Sequence, residues 1–345
     1  MSAPCPLPLL QACRREPTPY TPVWLMRQAG RYMPEYRTMR ARHGFLELCK
    51  TPEAAAEVTL QPVKRLGVDA AILFADILLV LEPLGVGLEY TRGDGPRIHR
   101  PVRSAADVER LKPVDVEEAV PFVFETVRLA RQALGERLPL IGFAGAPFTL
   151  ASYLIEGGAS REFLHTKRFM REARSAWHAL MGRLATVTAE YLNGQIAAGA
   201  QVVQLFDSWI GTLSPSDYRE FVLPHTRAVI AAIEPGVPVI HFGTGTAGLL
   251  PLMREAGGDV LGLDWRVELG PTWERLGYDV AVQGNLDPGI LLASVGEIRR
   301  AVEEILAGAA GRPGHIFNLG HGVHQETPVD HVRALVDMVH DMSAR

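Results

Sequence analysis

The stretch WLMRQAGRYMPEYR, near the start of the chain, gathers arginines, tyrosines and one glutamate around a single glycine. Arg27, Arg31, Arg37 and Arg40 lie within fourteen residues. A guanidinium keeps its proton at working pH and binds carboxylates and phosphates through paired hydrogen bonds. Gly30 favours a turn between Arg27 and Arg31. The first pair therefore indicates a site for an anionic ligand, whereas Arg37 and Arg40 are more typical of a solvent-facing helix.

Asp76 is the second residue whose position predicts chemistry, because it interrupts the apolar run AAILFADILLVL. A carboxylate in such a run must find hydrogen-bond donors or change its pKa. One interpretation is a structural carboxylate that caps neighbouring backbone. The other is an acceptor for substrate N–H groups, or a counter-charge to a cation that develops during a reaction. The position of Asp76 at the end of a predicted strand favours the second interpretation.

Eight short β-rich runs, each ending in glycine or a polar residue, would position these side chains. Most are nearly continuous apolar runs, as expected for strands buried on both faces. Amphipathic helical patterns lie between them, and the alternation predicts a parallel (β/α)8 TIM barrel. A doubly wound open sheet fits the alternation nearly as well, although no GxGxxG motif follows the first run. The predicted strands span residues 23–28, 68–76, 139–145, 202–208, 238–243, 259–265, 280–285 and 315–322.

Nearly every predicted strand delivers a polar residue at its C-terminal end, which is the catalytic face of a barrel. One such residue alone is typical of any loop, but the whole series favours a constructed pocket. Metal binding by three of them, His241, Asp264 and His321, is conceivable. We nevertheless expect no metal, since no ligand pair has helical spacing and no thiolate assists. The strand-end residues are Arg27, Gln28, Arg31, Asp76, Asp207, Ser208, His241, Asp264, Asn285 and His321.

Composition restricts the classes of partner. The 345 residues include 35 basic and 39 acidic side chains, a net charge of −4, so the basic excess typical of a nucleic-acid binder is absent. Charged residues and proline interrupt the longest apolar runs, which argues against a membrane span. The three cysteines, the last of which is Cys49, form no CxxC or CxH pattern. We expect neither a disulfide framework nor a cysteine-rich zinc site, and we expect a cytoplasmic location.

The chain is expected to form one domain over residues 1–345. Residues 1–20 are proline-rich and do not begin with the basic n-region of a signal peptide, so they predict a loosely structured arm instead. Residues 82–113 are rich in glycine and proline, and they predict an elaborated loop or hairpin rather than a second domain.

Six stretches from residue 22 to residue 322 resemble the uroporphyrinogen decarboxylase family in the same order. They are PVWLMRQAGRYMPEYR, FADIL, GFAGAPFTLASYLIEGG, QLFDSW, GNLDP and NLGHG. The resemblance implies a single distorted (β/α)8 barrel that usually forms a homodimer. It also implies removal of the four acetate carboxyl groups of uroporphyrinogen, a tetrapyrrole, to give coproporphyrinogen. The family uses neither a metal nor an organic cofactor for this reaction.

The resemblance also implies roles for single residues. Asp76 would hold the pyrrole N–H groups at the centre of the tetrapyrrole, and it would act in catalysis together with Arg27. Arg27 would orient the substrate first and deliver a proton second, while His321 could donate a proton on pKa grounds although the family gives it only a contact. The eight carboxylates of the substrate account for the arginines. The implied substrate contacts are Arg27, Gln28, Ala29, Gly30, Arg31, Asp76, Tyr153, Ser208 and His321, with Arg40 a further basic contact in some members.

Two other functions fit parts of the sequence. Zinc-dependent methyltransferases of corrinoid pathways belong to the same superfamily, but they need a His-x-Cys motif and a later cysteine. Here Gly243 stands where the thiolate would lie, and no cysteine follows Cys49. A non-catalytic tetrapyrrole carrier would keep the arginines but could lose Asp76, which this chain retains.

Overall fold

A curled parallel sheet of seven strands organises the chain in the computed structural model, which describes residues 7–91 and 95–345. The strands lie side by side in chain order, and each pairs with its neighbours in parallel. A doubly wound sheet would reverse its order at a switch point, so this order excludes that alternative. The strands are β1 (Ala71–Ile72), β4 (Leu140–Gly145), β5 (Val202–Asp207), β6 (Val239–Gly243), β7 (Val260–Gly262), β8 (Ala281–Gln283) and β9 (His315–Ile316), with an antiparallel hairpin of β2 (Leu88–Thr91) and β3 (Gly95–Ile98) outside the sheet.

Helices connect consecutive strands of the sheet, and several of them begin or end at capping residues in the sequence. Ser214 accepts a hydrogen bond from Asp217 N at the start of one helix, and Gly67 ends another in the left-handed region at φ 74°. The helices are α1 (Pro8–Cys13), α2 (Pro34–Arg42), α3 (Phe45–Lys50), α4 (Pro52–Leu66), α5 (Ala105–Glu109), α6 (Val116–Ala119), α7 (Pro121–Leu134), α8 (Pro147–Glu156), α9 (Leu164–Glu172), α10 (Arg174–Ala198), α11 (Pro215–Phe221), α12 (Leu223–Ala231), α13 (Leu250–Ala256), α14 (Leu269–Leu276), α15 (Val295–Ala309) and α16 (Val329–Ser343), with 3-10 turns at Leu79–Leu84, Ile210–Thr212 and Pro288–Leu292. Within the described residues, none of these helices combines the length and apolarity needed to cross a bilayer.

The first predicted strand, residues 23–28, forms a single bridge instead of a strand. Val23 bridges to Phe317 just after β9, and Val23 O accepts a hydrogen bond of 2.8 Å from Asp69 N just before β1. The Asp69 carboxylate accepts from Val23 N at 2.7 Å, so a backbone partner cannot use that group. At Arg27 the backbone enters the left-handed region, φ 59°, and leaves the direction of the sheet. The sheet therefore has seven strands where the sequence predicts eight.

The predicted hairpin and the predicted arm have different outcomes. The hairpin within residues 82–113 is present as β2 and β3, although residues 92–94 lie outside the described residues. Residues 1–6 of the predicted arm also lie outside them. The rest of that arm is folded, because α1 buries Leu9, Ala12 and Cys13 among residues of the strands. An apolar stripe in a short helix is sufficient to hold it against the end of a sheet.

Strand β1 is short because the chain leaves the sheet after Leu73. Leu73 N donates to Ile141 O, but Phe74 N donates instead to the Thr59 hydroxyl at 2.9 Å. On β4 the next backbone groups, N and O of Phe143, pair with the side-chain amide of Gln195 at 2.8 and 2.9 Å. Gln195 thus replaces the missing strand partner, and residues 74–79 are free to turn away from the sheet.

We expect Gln195→Met to lower the free energy of unfolding by about 3 kcal/mol, because two buried backbone groups lose their partners. Urea unfolding followed by circular dichroism measures this change. The control is Gln132→Met, an exposed residue of α7, for which we expect a change within about 0.5 kcal/mol. Equal midpoints for the two variants would contradict this account of β1.

Candidate active site

Asp76 lies in the turn that follows β1, and its carboxylate is enclosed by hydrogen-bond donors. Its Oδ1 accepts a hydrogen bond of 2.8 Å from Leu78 N and a second, short one from the Tyr90 hydroxyl. Burial raises the pKa of this carboxyl, while the bonds from Tyr90 and Leu78 N and the charge of Arg27 act in the opposite direction. Asp76 has therefore found the donors that its sequence position demands, and a cation lies near enough to favour its charged form.

Tyr90 is a site residue that the sequence analysis missed. It belongs to β2, fourteen residues beyond Asp76, and the hairpin folds its hydroxyl onto the carboxylate. Burial and the neighbouring Asp76 raise the pKa of Tyr90 far above its ordinary value. The phenol therefore stays protonated and acts as the hydrogen-bond donor to the carboxylate. The hairpin itself could be predicted from its glycines, but nothing in the sequence indicates which of its side chains turns inward.

Arg27 reaches the same region from the turn after residue 26. Met26 N donates to the Asn318 side chain at 3.0 Å, and Met26 O accepts from Val323 N at 3.0 Å. These two bonds hold the turn against the segment that contains His321. The Arg27 side chain lies on Gly322, where an added Cβ would come within 2.4 Å of its Cδ. A side chain at residue 322 would therefore displace the arginine from this position.

His321 lies between two close approaches. On one side Arg27 packs on Gly322, and on the other the backbone of Trp265 packs on Gly320, where an added Cβ would lie 2.2 Å from Trp265 N. Burial, followed by the charge of Arg27, lowers the pKa of His321 to about 4. The imidazole is therefore neutral at pH 7 and can form hydrogen bonds, but it holds no acidic proton there. With a pKa this low, His321 is not the protonated acid that the ordinary pKa of histidine would allow.

Tyr153 and Ser208 come from neighbouring elements, α8 and the end of β5. Tyr153 packs edge-on against Trp209, with 6.0 Å between ring centroids, and Trp209 directly follows Ser208. Burial and the nearby Asp76 raise the pKa of Tyr153 to about 12, which places this phenol in the same electrostatic environment as the carboxylate. Trp209 is a second neighbour of the site that the sequence analysis did not single out.

Gln28 has a structural position. Its side chain is fully buried, its Oε1 accepts from Leu25 N at 3.1 Å, and its Nε2 donates to Ala70 O at 3.1 Å. The amide therefore ties the arginine turn to the start of β1, and a direct contact between Gln28 and a ligand remains a prediction. Ala29 and Gly30 are half-buried in the same turn.

Arg31 lies apart from Asp76, on an open groove. The groove has a volume of about 580 Å³, and its lining includes Arg31, Arg37, Arg40 and Glu326. Arg37 donates to Arg31 O and Tyr32 O, both at 2.9 Å, so its guanidinium holds the arginine turn from α2. The cationic stretch of the sequence thus divides into Arg27, an exposed residue whose charge acts on Asp76, and Arg31 at the rim of the groove.

Three other strand-end residues are buried, and two of them accept hydrogen bonds from neighbouring elements. His241 and Asp207 are fully buried, and Asp207 Oδ1 accepts from the Thr149 hydroxyl at the start of α8. Asp264 accepts hydrogen bonds from Gly245 N and from Arg266. In the part of the chain that the structure describes, no three His, Cys, Asp or Glu side chains are grouped closely enough to hold a metal ion.

Comparison with known proteins decides the family. A profile described as Uroporphyrinogen decarboxylase (URO-D) matches residues 7–342. The chain belongs to the uroporphyrinogen decarboxylase family. The uroporphyrinogen decarboxylase of Carboxydothermus hydrogenoformans is 58% identical over 336 residues, which cover 97% of this chain and 96% of that protein. The one from Thermus thermophilus is 55% identical over 339 residues, 97% of this chain and 98% of that protein.

Solved structures share the fold at much lower identity. A methyltransferase from Methanosarcina mazei superposes with a TM-score of 0.81 at 22% identity, over 97% of each chain. A putative vitamin-B12 independent methionine synthase from Listeria monocytogenes gives a TM-score of 0.60 at 14% identity, over 96% of this chain and 98% of that one. These likenesses concern the scaffold alone.

We expect Gly322→Ala to raise the pKa of His321 from about 4, because the added methyl group displaces the Arg27 side chain. Titration of the His321 imidazole by NMR measures this shift.

Gly320→Ala, which meets backbone atoms of Trp265 instead, should lower the free energy of unfolding by about 2 kcal/mol.

The control is Gly182→Ala in α10, where an added Cβ has no neighbour within 4 Å. This variant should leave the His321 titration unchanged and stabilise the helix by about 0.5 kcal/mol. An unchanged His321 titration in Gly322→Ala would refute the packing of Arg27 on this glycine.

Proposed function

We propose that this protein removes the four acetate carboxyl groups of uroporphyrinogen III, giving coproporphyrinogen III and four molecules of CO2, without a cofactor. The observation that carries the proposal is the half-buried carboxylate of Asp76, which accepts hydrogen bonds from Leu78 N and Tyr90 and feels the charge of Arg27, in a chain 58% identical to a uroporphyrinogen decarboxylase. An anion that is enclosed by donors but open to further N–H groups suits the centre of a reduced tetrapyrrole, and a cation beside it suits the acids around the ring.

The chemistry needs a temporary electron sink rather than a metal. A proton adds to the pyrrole carbon next to the one that bears the acetate, and the ring becomes a cation. The bond between the methylene and the carboxylate then breaks, CO2 leaves, and the bonding electron pair neutralises the ring as an exocyclic methylene forms. The methylene takes up a proton to become a methyl group, and the ring carbon releases the first proton. Each acetate thus exchanges CO2 for one proton.

Asp76 and Arg27 are the proposed catalytic residues. The Asp76 carboxylate accepts the pyrrole N–H groups and stabilises the cationic ring, an interaction that is stronger when the site excludes water. Arg27 binds the reacting acetate and orients it; proton delivery is its second role, because a guanidinium is a weak acid. The remaining proposed contacts are Gln28, Ala29, Gly30, Arg31, Tyr153, Ser208 and His321.

Neutral His321 and the rim arginine Arg31 suit a substrate with eight carboxylates. A neutral imidazole can donate one hydrogen bond to a side-chain acid without adding a charge beside Arg27, and Arg31 offers a further cation on the open groove. We also infer a single domain over residues 1–345, a closed eight-strand barrel in which residues 22–24 supply the eighth position, a homodimer and a cytoplasmic location. Residues 22–24 form hydrogen bonds with Phe317, next to β9, and with Asp69, next to β1. These bonds to the two edge strands of the sheet support the closure.

The two alternative functions require different residues. A corrinoid-pathway methyltransferase needs a zinc-bound thiolate, and Gly243 occupies the position where it would lie. A tetrapyrrole carrier needs the cationic residues but no stabilised ring cation. A decarboxylation assay therefore distinguishes the decarboxylase from the methyltransferase and the carrier.

We expect the purified protein, incubated anaerobically with uroporphyrinogen III and a chelator, to form coproporphyrinogen that chromatography detects. Asp76→Asn should lower kcat by about a hundredfold or more, since it removes the charge that stabilises the ring cation but keeps the shape. The control is Asp279→Asn, an exposed residue paired with Arg254, which should retain wild-type kcat. Tight binding without CO2 release would identify a carrier, and activity that requires zinc would favour the methyltransferase.

We expect Tyr90→Phe to move the acidic limb of the pH–rate profile to higher pH. The Tyr90 hydroxyl lowers the pKa of Asp76, so its removal raises that pKa, and more of the carboxylate is protonated and inactive at a given acidic pH. The loss in kcat/KM should therefore be larger at pH 6 than at pH 8. Tyr278→Phe, at an exposed tyrosine, is the control. A parallel loss at all pH values would separate Tyr90 from the ionisation of Asp76.

A further inference from the structure

Arg266, just after β7, is an arginine that neither the motifs nor the proposed mechanism uses. Its guanidinium carbon lies 3.8 Å from the centroid of the Trp265 ring, so the planar group lies over the aromatic face. One amino group donates to Asp264 Oδ2 at 2.7 Å, and the backbone N–H of Arg266 donates to Asp264 Oδ1 at 3.0 Å. The side chain is held at both ends, yet 51% of it remains exposed.

Trp265, the ring on which Arg266 stacks, also contacts a residue of the active site. Trp265 meets His321 edge-on, with 6.2 Å between the ring centroids and 88° between the planes. The backbone of Trp265 packs on Gly320, on one side of His321, while Arg27 packs on Gly322, on the other. His321 therefore has one guanidinium group on its Gly322 side and another on its Trp265 side. Burial, followed by the charges of Arg27, His324 and Arg266, lowers its pKa.

A purely structural role would make Arg266 the counter-ion of Asp264, whose carboxylate is 99% buried. Asp264, however, has other donors, since Gly245 N and Arg266 N both bond to it. The exposed part of the Arg266 guanidinium is thus still a cationic donor. Stacking on Trp265 and the bond to Asp264 restrict its motion, which lowers the entropy lost when it forms a paired bond with a carboxylate.

We propose that Arg266, stacked on Trp265 and tied to Asp264, forms a second carboxylate-binding position of the cleft, on the Trp265 side of His321. Arg266 binds one side-chain carboxylate of the anionic tetrapyrrole, while Arg27 binds another carboxylate on the Gly322 side. This inference rests on the proposed function for the identity of the substrate. Arg266 is a binding residue with no part in bond breaking, so it contributes equally to the ground state and the transition state and acts on KM.

The test measures KM and kcat for uroporphyrinogen III, and its dissociation constant by anaerobic equilibrium dialysis. Arg266→Gln should raise KM and the dissociation constant about tenfold, a loss of about 1.4 kcal/mol, with kcat within about twofold of the wild type. Arg266→Lys, which keeps the charge but not the planar fork, should give an intermediate increase. The control is Arg227→Gln, which breaks an exposed ion pair with Glu255 on the outer helices and should change neither constant.

A double variant separates binding from simple neutralisation of Asp264. In Asp264→Asn with Arg266→Gln no buried charge is left to neutralise, so a structural arginine would no longer be needed. We expect the tenfold increase to persist in this variant. A return to wild-type values, or an unchanged dissociation constant in well-folded Arg266→Gln, would overturn the proposal. Failure of the proposed function gives a different result, because the wild type would then bind uroporphyrinogen III without turnover. The dissociation constants of the variants would still decide the role of Arg266.

Discussion

The enclosure of one carboxylate, that of Asp76, is the constraint on which the rest of the site depends. A carboxylate removed from water needs donors, because desolvation otherwise favours its protonated form. Three separate segments meet this need: the turn after β1 supplies Leu78 N, the β2–β3 hairpin supplies Tyr90, and the arginine turn supplies the charge of Arg27. The early departure of the chain from the sheet after Leu73 makes this meeting possible, since a longer β1 would carry Asp76 along the sheet rather than into the cluster of donors.

The positive charge of the site is local and directional. The chain as a whole carries a net charge of −4, yet Arg27 and Arg266 flank His321, and further arginines line the neighbouring groove. Because His321 is neutral at pH 7, the two guanidinium groups are separated by a polar group that does not add to their mutual repulsion. Such an arrangement suits a ligand with several carboxylates spread around a ring, since each acid can meet a cation without drawing the arginines together.

The comparisons separate scaffold from chemistry. A methyltransferase at 22% identity shares the backbone over almost the whole chain, whereas the decarboxylases at 55–58% identity share the family. Parallel folds of this kind change their chemistry through the residues at the strand ends while the strands persist. At the strand ends of this chain, a glycine follows His241 and Phe242, and an aspartate follows β1.

The sequence by itself determined the alternation of elements, the helix caps at Ser214 and Gly67, and the series of polar strand ends, because these follow from local periodicity and turn chemistry. It also determined the family, since the six stretches retain their order. Only the tertiary structure decided that residues 23–28 form a bridge instead of a strand, that the amide of Gln28 is used by backbone groups, and that Tyr90 is the donor to Asp76. The same holds for the neutral state of His321 and for the place of Arg266. The physical reason is that these features depend on burial and on packing between separate segments of the chain. The bond between Met26 and Asn318, which holds the arginine turn, joins residues 292 positions apart. Local sequence specifies which residues can pair, and packing specifies which of them do.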